Sequence, residues 1–260
     1  MSRADFRLSL VVPVYNEEES IDAFISAIDT ELAPLKDQLE IVFVNDGSRD
    51  RTREVVEQAI ARDPRVTLVN LARNFGKEAA MTAGLHQAKG DAIVPMDVDL
   101  QDPPSLILEF VKLWQTGDYD TVYGIRVDRS ADTPMKRLTA GGFYRFFNAL
   151  STSTKLPENA GDFRLIDRKV VEAIKQLPER NRFMKGLFAW AGFRAVGVPY
   201  ERPARHAGET KFNYWKLWNF ALDGLMSFSS WPLRVWSYIG VGVSFIAFLY
   251  ILKIITQVLF

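Results

Sequence analysis

Residues 8–15, LSLVVPVY, are an apolar β-rich run that stops abruptly at the polar stretch NEEES (16–20). Eight residues are too few for a buried helix. Apolar side chains on both parities mean that both faces are covered, as in the centre of a parallel sheet. Working outward, the same unit recurs. Glu17 to Leu32 carries Ile21, Phe24, Ile25 and Ile28 at helical spacing, and EIVFVND (40–46) is the second strand-like run. A helix follows over 51–62, then VTLVNLA (66–72), a helix over 77–87 and DAIVPMD (91–97). Pro103-Pro104 open another helix, and YDTVYGI (119–125) is a fifth strand. Short strands alternating with helices predict an α/β fold, a mostly parallel sheet covered on both faces. Ligands of such sheets sit beyond the carboxyl ends of the strands. Asn16-Glu17, Asp46-Gly47-Ser48, Asp97 and Asp99 all fall there. Further on, Thr133 to Leu150 reads as helix, DFRLID (162–167) as strand, 168–176 as helix and FRAVGVPYE (193–201) as strand.

Composition narrows the chemistry. The 260 residues are 48% hydrophobic, enough for one large domain, and 32 basic residues balance 32 acidic ones. That balance argues against a nucleic-acid binder. No cysteine is present and only two histidines, His86 and His206, so thiolate chemistry is excluded and a His-rich zinc site is disfavoured. A metal would have to sit on carboxylates, which suits Mg²⁺ or Mn²⁺. The N-terminus is no signal peptide, because its apolar run is broken by Pro13 and ends in acids. Near the other end, Val235 to Leu252 carries no charge and approaches the roughly 20 residues that span a bilayer. Residues 212–234 mix aromatic and basic residues in the manner of an interfacial helix. The chain therefore divides into a catalytic-type domain over 1–211, juxtamembrane helices over 212–234 and a transmembrane helix over 235–260.

Three groups of residues could carry chemistry. In MDVDLQDPP (96–104), an extended backbone would point Asp97, Asp99 and Gln101 to one side, a row of oxygens fit for a hard cation. In VNDGSRD (44–50), Asp46 ends a strand, Gly47 permits an unusual turn and Asp50 can cap the next helix. A scattered basic set, Arg126, Arg129, Lys136, Arg137, Arg164, Arg205 and Lys211, supplies candidate phosphate ligands. The loop RHAGETK (205–211) precedes the membrane-facing segment, where a lipid-anchored phosphate would arrive.

Taken together, VVPVYNEEES (11–20), VNDGSRD, MDVDLQDPP, GDFRL (161–165) and RHAGETKF (205–212) resemble glycosyltransferase family 2, on the GT-A fold. Within that family the sequence is similar to polyprenyl-phosphate glycosyltransferases, of the bactoprenol glucosyltransferase and dolichyl-phosphate mannose synthase types. The resemblance implies an inverting, metal-dependent transfer from a UDP- or GDP-sugar, glucose from UDP-glucose first, to undecaprenyl phosphate. It places Pro13, Tyr15, Asn16, Glu17, Asp46, Asp97, Arg205 and Lys211 at the nucleotide sugar. Asp99 and Gln101, with Asp97, would ligate the metal. Arg126, Arg137 and Arg129 would hold the acceptor phosphate, Asp162 matches the position proposed as the catalytic base, and Asp97 would join it as a catalytic residue. It further implies the cytoplasmic face of a bacterial inner membrane, supported by Arg205, Lys211, Lys216 and Arg234 near the span, and a homo-oligomer such as a tetramer. Bacterial relatives of this type carry two C-terminal spans and this sequence shows one, so either a second lies beyond Phe260 or this member differs. Processive polysaccharide synthases are set aside because their Q-x-x-R-W motif is absent, Arg180-Asn181-Arg182-Phe183 standing in the comparable region. A nucleotide-sugar binder without turnover is disfavoured by the intact Asp97, Asp99, Gln101 and Asp162.

Overall fold

The computed structural model describes residues 3, 5–127, 160–178, 182–201 and 231–259. Seven strands among them form one sheet: β1 (Leu8–Val14), β2 (Leu39–Asn45), β3 (Val66–Asn70), β4 (Ala92–Pro95), β5 (Thr121–Arg126), β6 (Ala160–Asp167) and β7 (Ala195–Tyr200). Their order is β3-β2-β1-β4-β6-β5-β7. All neighbours are parallel except β6, which runs against both β4 and β5. The antiparallel strand matters for function. Its first residues, Ala160 to Asp162, lie at the same rim as the last residues of β4 and β5, and Ala160 pairs with Ile125.

Strand alternation divides the core in two. Leu8, Leu10, Val12 and Val14 of β1 face one way, under α1 (Ile21–Glu31), α2 (Thr52–Arg62) and α4 (Leu106–Gln115). Val11, with Val42 and Val44 of β2, faces the other way, under α3 (Lys77–Gln87), α5 (Arg168–Lys175) and α6 (Met184–Trp190). Each helix turns its apolar stripe inward: Ile21, Phe24 and Ile28 of α1, and Ile107, Phe110, Val111 and Trp114 of α4, are buried. Burying a side chain of this size contributes about 1.5–3 kcal/mol, so these stripes set which face each helix presents. Pro13 is tolerated in a central strand for a local reason. Val11 O accepts from Met96 N and Val14 O from Asp46 N, so odd positions of β1 face β4. The β1–β4 ladder ends at Val11, and no partner is lost where proline lacks its N–H.

The expected elements are present with shorter bounds. The first helix starts at Ile21 rather than Glu17, and β4 ends at Pro95 rather than Asp97. Helix α7 (Trp231–Leu259) begins four residues before the expected boundary at 235. At 1.5 Å per residue it is about 43 Å long. Its segment Arg234–Leu259 is long and apolar enough to cross a membrane, and none of it is buried. The expected helix over 133–150 and the interfacial residues 212–230 lie outside the described residues, as do Arg129, Lys136, Arg137, Arg205 and Lys211.

Candidate active site

The carboxyl rim of the sheet is assembled by loops that hold one another. After β1, Asn16 adopts a left-handed backbone (φ 54°). Its N–H donates to Ser48 Oγ (3.0 Å), and its side-chain oxygen accepts from Arg49 N (2.8 Å). Glu17 N donates to Thr52 Oγ1 (2.8 Å), and Asp50 accepts from Thr52 N (3.0 Å), so Asp50 does tie down the start of α2. Asn16 and Glu17 thus sit on a braced turn, with Pro13 and Tyr15 just before it and all four partly exposed.

Asp46 has a different surrounding from the one its position suggests. It is buried, and its two carboxylate oxygens accept the N–H groups of Phe75 (2.7 Å) and Gly76 (2.9 Å). Its charge organises the loop 73–76 that leads into α3. Gly47 completes the join: at φ 67°, a Cβ there would stand 2.4 Å from the carbonyl carbon of Arg73. The left-handed backbone alone costs an alanine about 1–2 kcal/mol. Gly47→Ala is expected to lose at least that much stability, read as a lower Tm; an unchanged Tm would show that the two loops are not held together here.

The turn after β4 corrects the extended row expected of Asp97, Asp99 and Gln101. Residues 98–99 form a turn, Leu100 has φ 54°, and Gln101 N donates to Asp99 Oδ1 (3.2 Å). Strand alternation therefore does not align these oxygens. Asp97 and Asp99 are partly exposed, and Gln101 is buried. Among the described residues, no three Asp, Glu or His side chains converge on one metal position.

Asp97 instead meets a cation of the protein's own. Lys77 Nζ lies 2.6 and 2.9 Å from its two carboxylate oxygens and 3.4 Å from Asp162 Oδ2. Lys185 Nζ, on α6, is 3.8 Å from Asp162 Oδ1, an oxygen that is buried without a hydrogen bond. The antiparallel course of β6 brings Asp162 here. Burial alone would raise the Asp162 pKa, but Lys185 and Lys77 outweigh it and hold the carboxyl down at about 2. Burial would likewise lower the Lys77 pKa, and the charges of Asp97 and Asp162 raise it instead. Beside them, Glu78 accepts from Met184 N (3.0 Å), and burial pushes its carboxyl up to about 7. Lys77 escaped the sequence reading, although a signal existed. A lysine in the first turn of a helix opposes the macrodipole, and it follows Gly76, whose φ of 96° frees the turn.

Arg126, at the end of β5, is half-buried, and its Nη2 would stand 3.3 Å from a Cβ on Gly161. Its Nε donates to Tyr200 Oη (3.2 Å), and its Nη2 lies 3.8 Å from Asp102 Oδ1. Arg164 does not belong to an exposed basic set. It is buried, donates to Gly161 O (2.8 Å) and stacks 4.5 Å over the Phe188 ring. The rim therefore joins Asp97, Lys77, Asp162 and Arg126 into one acidic-basic surface, reached from β4, α3, β6 and β5.

Residues 9–175 match the family described as "Glycosyl transferase family 2". The chain belongs to glycosyl transferase family 2. Relatives in the family agree over nearly its full length. An uncharacterized glycosyltransferase of Synechocystis sp. is 51% identical over 96% of this chain and 79% of its own. A bactoprenol glucosyl transferase of Shigella phage SfV is 52% identical over 94% of this chain and 79% of its own. Among solved structures, the fold is shared with a mannosyltransferase of Pyrobaculum calidifontis in complex with GDP-Man and Mn²⁺ (23% identity, TM-score 0.55, covering 76% of this chain and 56% of that one). It is also shared with glucosyl-3-phosphoglycerate synthase of Mycobacterium tuberculosis in complex with Mn²⁺ and UDP-glucose (18% identity, TM-score 0.53, 85% and 77%). The family 2 domain is thus a glycosyltransferase on a GT-A-like sheet, with a C-terminal apolar helix.

Proposed function

We propose that this glycosyltransferase moves a hexose, glucose from UDP-glucose first, onto a polyprenyl phosphate such as undecaprenyl phosphate at the cytoplasmic face of a bacterial inner membrane. One observation carries the reading: an oxygen-rich turn, Asp97 to Gln101, shares a rim with Arg126, with Lys77 bridging Asp97 to Asp162 and Arg126 reaching Asp102 directly after the turn. An anionic donor and an anionic acceptor need such a pairing. The relatives named bactoprenol glucosyl transferases support the choice of sugar and lipid, and α7 supplies a segment able to stay in the bilayer where such a lipid resides.

The oxygen donors fit a hard divalent cation, Mg²⁺ or Mn²⁺. Such ions are commonly held by one or two carboxylates with substrate phosphates completing the shell. Asp99 and Gln101 with Asp97 would hold it, and bound there it supplies Lewis-acid neutralisation of the leaving nucleoside diphosphate. This chain's residues do the rest. Lys77 sets a positive charge beside the donor's diphosphate. Arg126 draws the acceptor phosphate into line with the anomeric carbon, and such positioning supplies a large share of the rate. A phosphate oxygen forms the new bond to that carbon as the bond to the diphosphate oxygen breaks. The electron pair leaves with the nucleoside diphosphate, and the configuration inverts. The acceptor's second pKa of about 6 leaves it ionised near neutrality. Asp162, held far below that range by Lys77 and Lys185, therefore orients these two cations rather than collecting a proton. Asp46 and Glu17 shape the nucleoside end, Asp46 by holding loop 73–76. Arg129, Arg137, Arg205 and Lys211 complete the proposal as phosphate ligands by resemblance alone.

The test is a panel of nucleotide sugars incubated with undecaprenyl phosphate in detergent and scored by nucleotide release. UDP-glucose is expected to turn over fastest, and release that ignores the lipid phosphate would overturn the acceptor assignment.

A further inference from the structure

We infer that Tyr200 is a positioning residue for the acceptor: its hydroxyl clamps Arg126 to Asp102 and so fixes the guanidinium that receives the lipid phosphate. The inference rests on the acceptor role proposed above for Arg126. Tyr200 ends β7 and is buried, with its hydroxyl donating to Asp102 Oδ1 (2.5 Å) and accepting from Arg126 Nε (3.2 Å). The ring lies over Gly124 of β5, where a Cβ would stand 2.6 Å from Cε1, so this close approach requires glycine. Phe163 meets the ring edge-on at 6.2 Å. The hydroxyl is thus held by strands on two sides of Arg126, and an arginine side chain gives up substantial rotamer freedom when it is so fixed. Asp102 directly follows Gln101. The clamp therefore also ties the acceptor arginine to the turn proposed to hold the donor's cation. Burial and the Asp102 charge push the Tyr200 hydroxyl up to about 12, so it keeps its proton to donate across the working pH range.

The experiment is a double-mutant cycle on the full chain in detergent, with Tyr200→Phe, Arg126→Ala and the pair, measuring KM and kcat for undecaprenyl phosphate and for UDP-glucose. Tyr200→Phe keeps the ring and removes only the hydroxyl. It is expected to lower kcat/KM for undecaprenyl phosphate about tenfold, the effect of about 1.4 kcal/mol, while leaving the UDP-glucose KM within about twofold. In the Arg126→Ala background, the same change is expected to add nothing further. Asp102→Asn should reproduce the acceptor effect, and Tm values separate it from unfolding. Equal effects of Tyr200→Phe in both backgrounds, or an unmoved kcat/KM for the lipid phosphate, would overturn the clamp. If Arg126→Ala instead shifts only the donor KM and the cycle stays non-additive, the clamp stands and the acceptor role of Arg126 falls.

Discussion

Asp97→Asn is expected to lower kcat about a thousandfold at saturating donor and acceptor while leaving the fold intact. Charge is the reason. Asp97 is fully engaged by a cation, with both oxygens within 2.9 Å of Lys77 Nζ. A group that meets lysine in this way can serve a divalent ion, and an amide cannot replace its charge. Losing a single preorganised stabiliser of developing charge costs about a hundred- to a thousandfold, and the metal role proposed for Asp97 belongs at the upper end. Stability should barely change. The Asp97–Lys77 pair is more than a third exposed on both sides, and such pairs contribute little. Asp99→Ala should behave similarly. The check is nucleotide release with Mn²⁺ titrated, beside a thermal melt. Near-normal turnover in Asp97→Asn would remove the metal assignment, whatever the melt shows.

Asp162→Asn is expected to lower kcat about a hundredfold, the cost of misplacing groups at the reacting centre by about 1 Å. The shape of the pH profile is the discriminating readout. With the carboxyl held at about 2 by Lys185 and Lys77, Asp162 stays ionised throughout the working range and contributes no limb of its own. The acidic limb should follow the acceptor phosphate, near its second pKa of about 6, and should persist in the variant. An acidic limb that disappears with Asp162→Asn would show that the carboxylate collects the proton after all. Kinetics at a single pH could not separate the two roles, because both predict a slow variant.

Much of the fold was legible because physics leaves few options for runs such as LSLVVPV and LEIVFVN. Side chains buried on both faces in a short run require neighbours on each side, hence a covered parallel sheet. The direction of β6 was not legible. An apolar stretch reads the same whichever way it pairs, yet only the antiparallel course brings Asp162 to Lys77 and Gly161 to Arg126. The bend after β4 was hidden for another reason. Leu100 is in the left-handed region that non-glycine residues seldom adopt, so the sequence suggested an extended row where the chain turns. Asp46 stands at the rim just after β2, but its partners, the N–H groups of Phe75 and Gly76, lie some thirty residues away. No local pattern announces such partners. Lys77 was the most recoverable omission, since its place at a helix start runs against the dipole.

The central claim is that carboxylates at the sheet's rim and a fixed arginine bring a nucleotide sugar and a tail-anchored phosphate together. The direct measurement is organic-extractable label from UDP-[¹⁴C]glucose with undecaprenyl phosphate, with Mn²⁺ present or chelated. The account predicts labelled lipid that forms with the metal, vanishes on chelation and returns when Mn²⁺ is restored. Labelled lipid formed equally with the cation removed, or label released as free glucose with none in the lipid, would contradict it.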